Sequence, residues 1–109
     1  MKEQELVKIV ISEIFAKGGW AMRVNSGTVF KGSRAIRAAP TGTSDIIGLI
    51  DGRFIAIECK IGDNKPTPSQ YSFLELVYSL GGDSIWMNDS EEDWRLFEDF
   101  ISISPRPTH

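Results

Sequence analysis

The chain has one cysteine, Cys59, among 109 residues, so it can form neither an intrachain disulfide nor a cysteine-based metal cage. It has no apolar run long enough to span a bilayer, and its N-terminus lacks the apolar core of a secretory leader. These absences lead us to expect a soluble cytoplasmic protein with no membrane partner. Acidic residues are missing from one long stretch. No Asp or Glu lies between Glu13 and Asp45, whereas Lys17, Arg23, Lys31, Arg34 and Arg37 do. Residues 83–99 reverse the balance, with Asp83, Asp89, Glu91, Glu92, Asp93, Glu98 and Asp99 against Arg95. A net charge of −3 therefore hides a basic region able to meet phosphates and an acidic one that repels them.

With 41% hydrophobic and 25% charged residues, the composition is that of a globular protein, and the length favours one domain. We expect that domain over residues 1–103, with residues 104–109 as a flexible tail. Lys2 to Lys17 reads as a helix with a broad apolar face, stopped by Gly18-Gly19. Trp20 to Val24 reads as a short strand, and Asn25 to Gly42 as a long functional loop. Ile46–Ile50 and Arg53–Lys60 are strand-like runs joined by Asp51-Gly52, a strong two-residue hairpin signal. Thr67 is placed to cap a helix from Pro68 to Leu80 that turns Tyr71, Leu74, Val77 and Tyr78 inward. Ser84–Met87 reads as a strand, and Ser90 with Asp93 caps a last helix ending near Ile101. Trp20 and Trp94 are assigned to the core. The order, α-β-β-β-α-β-α, describes a small α/β domain with one central sheet flanked by helices.

The hairpin carries a geometric expectation. With Asp51 and Gly52 as the loop, Ile50 pairs with Arg53, Ile46 with Ile57, and Asp45 then faces Glu58. Lys60 falls on the same face one pleat further on. Two facing carboxylates call for a cation, a shared proton or access to solvent. Oxygen ligands of this kind suit Mg²⁺ or Mn²⁺, which polarises a phosphate and lowers the pKa of bound water. Lys60 could orient that water or neutralise charge developing on the phosphate. Glu-x-Lys alone is also the pattern of an ordinary surface ion pair; the expected opposition of Asp45 distinguishes this instance. Cys59 alternates with Ile55 and Ile57 toward the core, which suits packing better than nucleophilic chemistry.

Asp45 with Glu58-Cys59-Lys60 resembles the Asp…Glu-x-Lys signature of the PD-(D/E)xK nuclease superfamily. The wider pattern narrows the likeness: Glu3-Gln-Glu-Leu6, Gly18-Gly19, Arg23-Val-Asn-Ser26, Gly42-Thr-Ser-Asp45, Glu58-Cys-Lys60 and Pro68-Ser-Gln70 together resemble the VRR-NUC family from Glu3 to about Met87. The resemblance implies a restriction-endonuclease-like fold and a metal-dependent nuclease. It makes Asp45 and Glu58 metal ligands, with the Cys59 carbonyl a further one, Lys60 the catalytic lysine and Gln70 an active-site glutamine. It also implies a ligand glutamate on the first helix, Glu3 matching better than Glu5. Serine at position 44 departs from the family's proline.

Stand-alone, phage-type members of this size resemble dimeric Holliday-junction resolvases. The resemblance thus implies an Mg²⁺- or Mn²⁺-dependent endonuclease on branched DNA, acting as a homodimer in a bacterial or phage-infected cell. Arg23, Lys31, Arg34 and Arg37 are candidate phosphate contacts. The alternatives are a nickase or flap-type nuclease in a phage replication or repair assembly, or a non-catalytic DNA-binding subunit.

Overall fold

A computed structural model describes residues 1–25, 28–37 and 39–103, with backbone alone for Thr28–Lys31 and Arg34–Arg37. The expected tail, 104–109, lies outside the described residues. The elements are α1 (Glu3–Ala16), β1 (Trp20–Arg23), β2 (Thr28–Lys31), β3 (Arg34–Arg37), β4 (Ile46–Ile50), β5 (Arg53–Cys59), α2 (Pro68–Ser79), β6 (Asp83–Met87) and α3 (Glu91–Ser102). The fold class is the expected α/β one: a four-stranded mixed sheet, ordered β1-β4-β5-β6, with three helices. It is compatible with a small restriction-endonuclease-like fold. None of the helices among the described residues is long and apolar enough to cross a membrane.

The β4–β5 hairpin follows from its turn. Asp51 (φ 49°) and Gly52 (φ 76°) both adopt positive φ, as a type I′ turn requires, and the register runs from Ile50↔Arg53 to Ile46↔Ile57. The parallel β5–β6 pair is reached through the α2 crossover, with Glu58 beside Trp86 and Cys59 beside Met87.

Burial explains why β5 is apolar almost throughout. One face of the sheet carries α1 and α3, and packs Leu6, Val7, Val10 and Ile14 with Ile46, Ile55, Ile57, Met87, Phe97 and Ile101. The other face carries α2, whose Leu74 and Val77 pack on Ala56, with Phe73 and Trp86 at the margin. Central β5 is covered on both sides, so it does not alternate as a half-exposed strand would. Arg53 is buried at its start, where Nη1 reaches Asp83 Oδ2 at 3.1 Å and Nη2 donates to the Phe100 carbonyl at 2.8 Å.

Three expectations are corrected. Asn25–Gly42 is not one long loop: β2 and β3 pair antiparallel, Thr28↔Arg37 to Lys31↔Arg34, around Gly32 at φ 64°. Ala39 N–H donates to the Asn25 carbonyl at 2.9 Å and closes the base of this hairpin. Trp20 is half exposed instead of core, because α2 packs over β5 and β6 and leaves the β1–β4 part of its face uncovered. For the same reason α2 turns in only Leu74, Val77 and part of Phe73, while Tyr71 and Tyr78 stay exposed. Trp94 does pack on the core.

Candidate active site

Asp45, Glu58 and Lys60 meet where β4 begins and β5 ends. The entry to Asp45 is tightly made. Gly42 has φ 93°, and a Cβ there would come within 2.7 Å of the Ser69 carbonyl oxygen, so glycine lets this loop lie against the first turn of α2. Ser44, where the resemblance expected proline, is buried and donates its hydroxyl to the Ile46 carbonyl at 2.8 Å. The serine thus fixes the turn by a hydrogen bond where proline would fix it by its ring.

Asp45 stands next to Glu58, as the register argument requires, but the carboxylates do not simply oppose each other. The ladder ends at Ile46↔Ile57. Beyond it, Asp45 N–H donates to Glu58 Oε1 at 3.1 Å, and Asp45 Oδ2 accepts from Cys59 N–H at 2.9 Å. Each acid takes a backbone donor from the other's strand, which spaces the two charges and fixes both side chains. Val24 N–H donates to the Asp45 carbonyl at 2.7 Å, tying the site to the end of β1.

Glu58 is the chemically unusual member. It is 1% exposed, and its Oε2 has no hydrogen-bond donor. Lys60 Nζ lies 3.4 Å from that oxygen, an ion-pair contact without hydrogen-bond geometry. Burial first, and then the charge of Asp45, push the Glu58 carboxyl up to about 7; Lys60 and the Asp45 N–H pull in the opposite direction. The Cys59 thiol is raised by burial and by Asp45, Glu58 and Glu3, which leaves it protonated and unreactive. Glu3, at the start of α1, is also raised, by burial and then by Asp45, while Lys60 and Arg23 act against this.

The buried, donor-free Oε2 of Glu58 is what a cation would satisfy, and the directed carboxylate of Asp45 lies beside it. Among the described residues no three His, Cys, Asp or Glu side chains form a metal cage on their own. Glu3 is thus not brought into one metal-holding group with Asp45 and Glu58; an ion held by those two alone would have to keep waters or take a substrate oxygen.

Gln70 has a structural occupation beside the role the resemblance gave it, one already written in the Thr67-x-x-Gln70 spacing. Its Oε1 accepts from Thr67 N–H at 2.9 Å while its own N–H donates to Thr67 Oγ1 at 3.3 Å, a reciprocal capping box at the start of α2. Arg23 is exposed at the end of β1. The backbones of Lys31, Arg34 and Arg37 lie on the β2–β3 hairpin, and their side chains lie outside what the structure describes. Sequence reasoning missed Trp86, the register partner of Glu58, and the Tyr71 and Lys65 side chains gathered on its ring. Their convergence depends on the parallel β5–β6 pairing, for which no local signal exists. Neither a scan against protein-family models nor a search of curated proteins returns a match for this chain.

Proposed function

We propose that this protein is a metal-dependent endodeoxyribonuclease of the VRR-NUC type, cutting phosphodiester bonds in branched DNA as a Holliday-junction resolvase. The observation that carries the reading is the buried Glu58 carboxylate, short of a donor on Oε2 and flanked by Asp45 and Lys60. A structural ion pair needs one acid and one base. A second acid, held in place by Cys59 N–H, adds repulsion that a bound divalent cation would relieve without protonating Glu58.

In this reading Asp45 and Glu58 hold Mg²⁺ or Mn²⁺, with the Cys59 carbonyl and Glu3 as further donors. When bound, the ion supplies Lewis-acid polarisation of the phosphate and an acidified water. Asp45 is oriented by the backbone amide of Cys59. Lys60, only 12% exposed, presents its ammonium to the phosphate oxygens that gain charge during cleavage. Gln70 stays rigid because its own cap fixes it, and its amide N–H₂ remains available to a substrate oxygen. Arg23, Lys31, Arg34 and Arg37 supply phosphate contacts that position the DNA without reading bases.

Paired cuts in a junction need two such sites, which a C₂ homodimer supplies. Support for self-association comes from the uncovered sheet face, where Trp20, Met22, Leu49 and Phe54 are each at least 40% exposed. Trp20 pairs with Leu49 and Leu49 with Phe54, so these side chains form one apolar surface. The cytoplasm of a bacterial or phage-infected cell is the matching location. The test is cleavage of a labelled four-way junction beside matched flap and duplex, with Mg²⁺, Mn²⁺ or EDTA. Paired symmetric cuts on the junction, lost in EDTA, are expected. Cutting confined to flap or nicked duplex would replace resolvase by flap nuclease or nickase, and binding without cutting in any metal would overturn the enzyme reading.

A further inference from the structure

The sheet face that carries Glu58 also carries an aromatic and cationic cluster. Trp86 is the register partner of Glu58 on parallel β6, one strand away at a spacing of about 4.8 Å. Its side chain lies on the α2 side, packed at the margin of Ala56, Leu74 and Val77. Tyr71 of α2 meets the ring edge-on, with centroids 6.4 Å apart and planes at 88°. Lys65, from the loop before α2, places Nζ 5.6 Å from the ring centroid, over its face. Trp86 is only partly buried, Tyr71 is 43% exposed and Lys65 is exposed. Lys60 N–H donates to the carbonyl of Met87, the residue after Trp86, so the catalytic strand end and this ring are mechanically coupled.

A tryptophan serving only to fill the core would have aliphatic side chains over both faces. Here one face is screened by a flexible lysine that makes no ion pair among the described residues. Lys65 is exposed and reaches the ring only through its long side chain, so a ring stacking on that face would displace the ammonium and leave it beside the incoming phosphate. A base inside a duplex already stacks on both neighbours; an unpaired base has a face to offer.

We propose that Trp86, Tyr71 and Lys65 form a stacking site for one unpaired nucleotide next to the scissile phosphate, with Trp86 as the platform, Tyr71 bracing its edge and Lys65 holding the adjoining phosphate. This rests on the nuclease reading of the Asp45–Glu58–Lys60 site and not on the resolvase assignment, because a four-way junction offers an unpaired base only where the pairs at its branch point open.

The test uses a single-stranded oligonucleotide with 2-aminopurine at one position and the duplex of the same sequence, titrated with Ca²⁺ as the only divalent ion. Wild type, Trp86→Leu, Trp86→Phe and Lys65→Ala are compared, with folding checked by circular dichroism melts. Wild type is expected to quench the single strand. Trp86→Leu loses the quench and binds the single strand on the order of five- to hundred-fold more weakly, with duplex binding unchanged. Trp86→Phe keeps part of the quench, while Lys65→Ala keeps the quench and lowers the salt dependence by about one ion. An undiminished quench in Trp86→Leu, or equal weakening on both DNAs, overturns the proposal. Cleavage by wild type with Mn²⁺ is scored separately. Cutting whose single-strand preference survives Trp86→Leu discards the stacking site and keeps the nuclease. A Trp86-dependent quench without cutting does the reverse, and absence of any binding discards both.

Discussion

Glu58 keeps one carboxylate oxygen in a buried place with no hydrogen-bond donor, and the neighbouring acid makes its ionisation harder still. Its carboxyl titrates near 7 in the folded chain against an ordinary value of 4.5, so the folded state holds the proton more tightly than the unfolded one. The stabilisation is full below about pH 4.5 and is lost as pH rises through about 7. In EDTA, Glu58→Gln should therefore be more stable than wild type at pH 8, on the order of 1–3 kcal/mol, with little difference at pH 4. Urea titrations at the two pH values check this; equal stabilities at pH 8 contradict it. Lys60 is tested differently, since its ammonium is assigned to the phosphate as well as to Glu58. Lys60→Met keeps the aliphatic stem and should lower single-turnover cleavage by roughly 10²-fold or more while the circular dichroism spectrum stays native. Sequence alone put these three residues together because a strong turn signal fixed the hairpin register. It did not foresee the exchange of backbone donors between Asp45 and Glu58, which happens beyond the last ladder pair, where strand periodicity no longer applies.

Helix α2 shows how one cap can both start an element and fix a residue assigned to the site. Its capping box joins Thr67 and Gln70, and Lys65 and Tyr71 flank it on the side of Trp86. Thr67→Ala should cost about 1 kcal/mol in urea unfolding, and it should impair cleavage more than that small loss explains, because Gln70 loses its anchor. An unchanged unfolding midpoint would contradict the role assigned to the cap. The start of α2 was legible from Thr67-Pro68, since capping chemistry is local. Its inward face was not, because which residues are buried depends on where the helix lies over the sheet. The β2–β3 hairpin carried a readable cue in Gly32-Ser33, a permitted two-residue turn, but the flanking runs Thr28–Lys31 and Arg34–Arg37 are short and partly basic and lack a clear apolar face. Buried Arg53 had no local cue, since its partners Asp83 and Phe100 are distant in the chain.

At the scale of the whole molecule, the sheet is covered fully on the side of α1 and α3 and only partly on the side of α2. The uncovered portion, Trp20, Met22, Leu49 and Phe54, lies on the same face as Glu58 and toward the opposite sheet edge from Trp86. If this surface joins two copies, Trp20→Lys with Leu49→Lys should yield monomers in sedimentation velocity that still bind metal but no longer cut junctions in pairs. A wild-type protein that is monomeric at micromolar concentration, with and without junction DNA, would contradict that arrangement. The acidic α3 packs on the opposite face, so its charges lie behind the sheet as seen from this surface.

In the function proposed, Asp45 and Glu58 hold a divalent cation needed for phosphodiester cleavage. Asp45→Asn tests it most directly, because the amide oxygen can still accept from Cys59 N–H while the charge is gone. Wild type and variant would be titrated with Mn²⁺ at pH 8, following both the thermal midpoint and cleavage of one labelled junction. Mn²⁺ is expected to raise the midpoint of wild type and to switch on cutting together with it, whereas Asp45→Asn folds but shows neither effect. A variant that cuts as wild type does, or a wild type whose midpoint and cutting ignore Mn²⁺, would contradict it.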